Sequence, residues 1–312
     1  MNKNDIKSGY VALIGRPNVG KSTLLNKILG HKVSIISDKP QTTRVSILGI
    51  KTTSKGQIVF IDNPGIHRPL HRLNKRMMNF VYSSLETSNL ICLFIDATLK
   101  FGHGDQFVID TLKNISTPKI LLINKVDIIK KEKILLLIDK YRHLAEFKEI
   151  IPISALKGTN LDVLEEKIYD NLPKAEKVFS DDEISNQSQT FLLSEIIREK
   201  VLNHVRKELP YVTAVHIDRI EDFKKNSTNS ESAGISGKKK GTKYIKATIF
   251  VEKDSHRKII IGKKGNLIKT IGTEARHEME SILEAKLFLE LQVRVKEKWR
   301  DSARVLDLIE KQ

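Results

Sequence analysis

The chain has 312 residues and a formal net charge of +16, with 29% charged and 40% hydrophobic side chains. That length accommodates two ordinary domains, and the positive excess points to a polyanionic partner such as nucleic acid or an acidic membrane surface. Membrane-spanning helices are excluded, because the longest apolar runs, LICLFI at 90–95 and ILLLI at 134–138, fall far short of a bilayer.

The opening MNKNDIKSGY lacks the apolar stretch of a signal peptide, and the single cysteine, Cys92, can form no intrachain disulfide. The cytoplasm is therefore the expected compartment. From residue 10 to 172, short apolar strands at 10–15, 45–51, 57–62, 90–96, 119–125 and 149–154 are interleaved with helical stretches at 21–29, 72–87, 104–114, 130–145 and 160–171. Such alternation predicts parallel strands joined by crossovers, a doubly wound α/β sheet. The runs 45–51 and 57–62, separated by TTSKG, read as a hairpin that adds one antiparallel strand and makes the sheet mixed.

Residues 173–190, PKAEKVFSDDEISNQSQT, lose the apolar periodicity and read as a linker between a domain at 1–172 and a second at 191–312. The second domain reads as a smaller α+β unit. Its order is helix 191–207, strand 212–220, strand 243–252, helices around a GKKG turn within 255–285, strand 287–297 and a final helix 299–310. The Ser-, Asn- and Lys-rich stretch at about 222–243 is expected to be a flexible insertion.

Gly15-Arg16-Pro17-Asn18-Val19-Gly20-Lys21-Ser22, with Thr23 behind it, follows a strand and opens a helix. Glycines there let backbone N–H groups close round phosphate oxygens, Lys21 reaches the β- and γ-phosphates, and Ser22 offers a hydroxyl to Mg²⁺. Asp62, Asn63, Pro64 and Gly65 end the third strand. Asp62 is placed to hold Mg²⁺ through water, and the Gly65 N–H lies near the γ-phosphate. In INKVD, at 123–127, Asp127 can accept two hydrogen bonds from the N1–H and amine of guanine, while Lys125 lies along the base and Asn124 ties loops together. Adenine lacks that donor pair and would leave the carboxylate unpaired, at roughly 1–3 kcal/mol. Ser154, Ala155 and Leu156 supply N–H donors to the guanine oxygen. A threonine from SDKPQTTRVSI, at 37–47, completes the set, with Thr43 the expected Mg²⁺ ligand and Thr42 the alternative. The catalytic group is then Lys21, Thr43 and Gly65. Ile66 stands where a water-positioning glutamine is often found, so hydrolysis is expected to be slow.

A second glycine-bracketed turn lies in IIGKKGNLIKTIG, at 260–272. Gly262 and Gly265 let the backbone approach a sugar-phosphate chain, and Lys263, Lys264 and Lys269 face phosphates. Ile260, Ile261, Ile268 and Ile271 are expected to floor a groove for unstacked bases. Between Lys238 and Lys269 there are eleven Lys and Arg against Glu252 and Asp254.

GRPNVGKSTLLN, PQTTR, DNPG, NKVD and SALKG, followed by FLLSEIIREKVL, the GKKG turn and VRVKEKW, resemble the Era-like family of bacterial GTPases over residues 8 to 310. The resemblance implies a GTPase domain followed by a type II KH domain. It further implies binding of the 3′ end of 16S rRNA during maturation of the 30S subunit, and a K⁺ ion beside Asn18 and the carbonyls near Ser37 to Lys39. A monomer is expected. Asn63 departs from the threonine usual in the family. Two other readings stay open: a nucleotide-gated RNA scaffold with negligible turnover, and a peripheral GTPase on the anionic inner membrane surface.

Overall fold

The computed structural model describes residues 6–223 and 242–312, and contacts divide the chain into two units, 1–187 and 188–312. In the first, a six-stranded sheet runs in the order β2-β3-β1-β4-β5-β6. Its strands are β1 (Lys7–Gly15), β2 (Ile47–Thr53), β3 (Gly56–Asp62), β4 (Leu90–Asp96), β5 (Lys119–Asn124) and β6 (Glu149–Pro152). Only the β2–β3 hairpin pairs antiparallel; the other neighbours are parallel, so the sheet is the mixed doubly wound one that strand–helix alternation requires. The central strands read as unbroken apolar runs because both faces are covered: Val11 to Ile14, Ile58 to Phe60 and Ile120 to Ile123 are all shut off from solvent. Four helices connect them, α1 (Lys21–Leu29), α2 (Arg72–Thr87), α3 (His103–Leu112) and α4 (Lys131–Arg142), and α5 (Leu161–Asn171) follows β6.

The stretch that reads as a linker is hydrogen-bonded to this unit as far as Ser185. Lys174 bridges Lys7 and Ser185 bridges Gly49. The Gln57 side chain accepts from the Val178 and Phe179 N–H groups at 2.9 Å and donates to the Phe179 carbonyl. Its sequence looks featureless because most of these bonds are made by its backbone.

The second unit holds a three-stranded sheet, β7 (Ala214–Phe223), β8 (Thr242–Val251) and β9 (Leu287–Val295), in that order. β7–β8 is antiparallel and β8–β9 parallel. Helices α6 (Gln189–His204), α7 (Asp254–Ile261), α8 (Asn266–Leu283) and α9 (Ala303–Glu310) complete it, with α6 capped by the Ser188 hydroxyl, which accepts the Phe191 N–H. Asp222 pairs with Lys243 and Phe223 with Thr242 at the strand ends. Residues 224–241 of the expected insertion lie outside the described residues. Among the described residues no helix is long and apolar enough to cross a membrane.

Candidate functional site

Parallel strands align their C-terminal ends, so loops that follow β1, β3, β4, β5 and β6 gather on one edge of the sheet. Register makes this concrete: Leu13 pairs with Asp62, Gly15 with Phe94, and Asp96 with Asn124. The Gly15–Ser22 loop turns here through two left-handed residues, Asn18 at φ 63° and Gly20 at φ 101°. At Gly20 only glycine fits, because a Cβ would lie 2.2 Å from the Asn124 amide. That amide donates to the Val19 carbonyl at 2.7 Å, and the Asn124 oxygen accepts the Ala155 N–H at 2.9 Å. One buried side chain thus joins the loops after β1, β5 and β6.

Lys21 is buried, and its ammonium donates to the Arg16 carbonyl at 3.2 Å. Burial pushes it down to about 8, partly offset by the charge of Asp62. Asp62 is itself buried, and desolvation raises it above the ordinary carboxylate value. Its Oδ2 accepts from the hydroxyls of Ser22 at 2.6 Å and Ser34 at 2.9 Å, and the Ser22 and Thr43 hydroxyls lie 3.0 Å apart. Oδ1 of Asp62 is buried with no partner among the described residues. A cluster of hard oxygens around an unsatisfied carboxylate atom suits Mg²⁺, and no trio of His, Cys, Asp or Glu that could hold a softer metal gathers among the described residues. The Thr42 hydroxyl is turned to the Lys39 carbonyl at 2.6 Å, which favours Thr43 between the two threonines. Pro17, Asn18, Thr23, Gln41 and Gly65 line the same cleft.

On the base side, Asp127 is exposed, and Lys125, left-handed at φ 68°, is held by Asp96 at 2.6 Å. Ser154 and Ala155 are buried, whereas the Leu156 side chain is 68% exposed. Pro64, next to Asn63 in the chain, is buried. Asn63 holds the Ser46 hydroxyl at 2.7 Å and the Ile61 carbonyl at 3.1 Å, so its role is to tie two segments together. The Asn18 amide donates to the Asp38 carbonyl, within the stretch expected beside a monovalent cation. Ile66 is buried in the apolar core and its N–H donates to the Gly15 carbonyl at 2.9 Å.

Sequence reading passed over several residues that shape this edge. Ser34 reaches Asp62 because Asn26 of α1 clamps the Val33 and Ser34 N–H groups at 3.0 Å. His67 donates from Nδ1 to the Gly65 carbonyl at 2.7 Å and accepts from the Asn74 amide at Nε2. The motif context after β3 was the available signal for His67; none marked Ser34.

In the second unit the GKKG turn joins α7 to α8 through three residues with positive φ, Gly262 at 75°, Lys264 at 52° and Gly265 at 77°. A Cβ on Gly262 would lie 2.7 Å from Leu267. Lys263, Lys264 and Lys269 are exposed and Ile261 is half-buried. Two of the isoleucines expected to floor a groove do not: Ile260 and Ile271 are fully buried in the core with Ala275 and Met279. Their contribution is to fix α7 and α8. Ile268 instead lines a groove with Lys269, Gly272, Arg276, Phe288 and Leu291, between α8 and β9.

The family model for a 50S ribosome-binding GTPase matches residues 10–125, and the KH domain model matches residues 228–300. The GTPase Era of Staphylococcus haemolyticus is 40% identical over 295 residues, covering 95% of this chain and 94% of that protein. A crystal structure of Era in complex with MgGDPNP and nucleotides 1506–1542 of 16S ribosomal RNA superposes with a TM-score of 0.89 at 40% identity, covering 97% of this chain and 98% of that one. An Aquifex aeolicus Era variant bound to GDP·AlF₄⁻ gives the same TM-score and identity, covering 97% and 99%.

Proposed function

The chain belongs to the Era family of GTPases, and on that premise we propose that it binds GTP along the β1–β6 loop edge, hydrolyses it slowly, and holds the 3′ end of 16S rRNA with its second unit while the 30S subunit matures. The observation that carries the nucleotide half is the Lys21–Ser22–Thr43–Asp62 cluster, with the exposed carboxylate of Asp127 in the loop after β5 on the same sheet edge. Guanine's N1–H and amine pair with Asp127, the Ala155 region donates to its oxygen, and Lys125 lies along the ring. Ser22, Thr43 and, through water, Asp62 are the residues that would hold Mg²⁺, which supplies charge neutralisation between the β- and γ-phosphates. Asn18 and the carbonyls of 37–39 are the residues that would hold K⁺, adding positive charge beside the transferred phosphoryl group.

Lys21 exchanges the Arg16 carbonyl for phosphate oxygens, so its buried charge gains an anionic partner. Gly65 offers its N–H to the γ-phosphate. Ile66, held in the core, cannot orient the attacking water, so rate comes from positioning and electrostatics alone, and the slow turnover suits a switch. The loop around Thr43 and the segment after Gly65 order on the γ-phosphate. In the second unit, Gly262 and Gly265 bring the turn against the RNA backbone, Lys263, Lys264 and Lys269 neutralise phosphates, and the groove around Ile268 takes unstacked bases. The protein works as a cytoplasmic monomer.

The test is crosslinking of the purified chain to precursor 16S rRNA with GTP or GDP bound, mapped to the nucleotide, alongside multiple-turnover phosphate release. Expected are contacts confined to the 3′ end that depend on the nucleotide, with turnover above background. Crosslinks scattered over the rRNA, or comparable heats of binding for ATP and GTP, would overturn the reading.

A further inference from the structure

Arg16 sits inside the phosphate loop, yet its side chain does not line the nucleotide cleft. It lines a small cavity with Phe94, Ile95, Val108 and Tyr141. There its Nη1 meets Oδ2 of Asp105, in the first turn of α3, at 2.9 Å. The same oxygen accepts the Gly102 N–H at 2.9 Å, so Asp105 both caps α3 and holds the arginine. The carboxylate is only 11% exposed and the arginine 34%, which shields the pair well beyond an ordinary surface contact. Gly104 makes the approach possible: a Cβ there would lie 2.7 Å from Arg16 Nε.

The backbone of the same loop carries the active groups. The Arg16 carbonyl accepts the Lys21 ammonium at 3.2 Å, and the Gly15 carbonyl accepts the Ile66 N–H at 2.9 Å. Gly65 passes so close that a Cβ on it would lie 2.5 Å from the Pro17 nitrogen. Two residues beyond Ile66, Arg68 lies over the Phe107 ring of α3, 5.9 Å from its centroid. The start of α3 thus touches the phosphate loop through Asp105 and the segment after Gly65 through Phe107.

We propose that Asp105 is a positioning residue for nucleotide binding: by anchoring Arg16 to α3 it fixes the phosphate loop in the form that presents Lys21. The inference rests on the guanine-nucleotide reading above. Asp105 touches neither phosphate nor attacking water. Releasing Arg16 lets the loop sample other forms, and each binding event must then reorder it. That cost falls equally on ground state and transition state, so KM and nucleotide dissociation change while kcat holds. A carboxylate that merely capped α3 would show no dependence on Arg16.

The experiment uses the full chain, with fluorescent mant-GDP dissociation and steady-state GTP turnover on wild type, Asp105→Asn, Arg16→Ala and the double variant. Asparagine keeps an oxygen for the Gly102 N–H and removes the charge that faces Arg16. Each single variant is expected to speed dissociation and raise KM about three- to tenfold, with kcat within about twofold. The double is expected to be no worse than the worse single, the signature of one shared interaction. Arg16→Lys, which keeps the charge and loses the planar fork, should fall between wild type and Arg16→Ala and serves should Asp105→Asn fold poorly. If wild type binds mant-GDP and the variants match it, or if the single effects multiply in the double, the positioning role is wrong. Failure of wild type itself to bind mant-GDP would instead remove the nucleotide reading.

Discussion

In the loop from Gly15 to Ser22 the lysine is buried and bonded to a carbonyl of its own loop, whereas in the turn from Gly262 to Gly265 both lysines stand in solvent. The first loop is pressed from several sides, by Asn124 at Gly20, by Phe94 at Gly15 and by the Gly65 backbone at Pro17. Around Gly265 an added Cβ would meet nothing within 4 Å. Both loops use left-handed backbone, and both can approach phosphate. Enclosure separates them. A closed loop desolvates its cation and holds its donors in one geometry, which suits one small ligand read group by group. An open turn leaves its cations hydrated, which suits a polymer gripped through counterion release.

The largest expected effect breaks one side of this comparison alone. Lys21→Ala removes the enclosed cation, and roughly a hundredfold loss or more in GTP turnover is expected, as for other deletions of a transition-state electrostatic partner. RNA affinity measured without nucleotide should stay where it was. A parallel loss of RNA affinity in phosphate-release and filter-binding assays would show that the two loops are not separate devices.

The converse is smaller. Replacing both Lys263 and Lys264 with alanine should weaken RNA binding about tenfold or more at moderate salt, and should lower the slope of log affinity against log salt by about 1.4, two single-strand phosphates at roughly 0.7 each. GTP turnover should not change. An unaltered salt slope would mean that the exposed lysines do not face phosphates.

How much of this was legible without coordinates follows the same division. Gly15–Ser22, Asp62–Gly65 and Asn124–Asp127 are contiguous runs placed at strand ends, so their chemistry is written locally. The partners that enclose them are not. Asp105 lies 89 residues from Arg16 and Ser34 lies 28 from Asp62, and neither has a motif around it. In the second unit, Ile271, Ala275 and Met279 recur every fourth residue along α8, a core stripe that argued against a ligand-facing Ile271. The 173–187 stretch looks featureless in sequence for a different reason: its bonds run from backbone to sheet edge, as in the Ile50 N–H donating to the Ile184 carbonyl at 2.8 Å, and backbone pairing leaves little trace in side-chain pattern.

The last test reads enclosure directly through pH. Burial holds Lys21 down at about 8, against 10.5 for an unburied lysine. Between those values the unfolded chain binds the extra proton and the folded chain does not, so this group's contribution to stability rises with pH across that window, and its burial cost stands in full below about 8. Nucleotide phosphates favour the ammonium. Binding below 8 therefore finds Lys21 already charged, while binding above 8 must take up a proton. Affinity for GDP should be level from pH 7 toward 8 and then fall, by up to about tenfold per unit. Titration with mant-GDP at closely spaced pH values locates the break, and calorimetry in two buffers of different ionisation enthalpy counts the proton taken up. A flat affinity with no proton uptake between pH 7 and 9 would mean that the loop does not desolvate its lysine, and the contrast with the open turn would then rest on geometry alone.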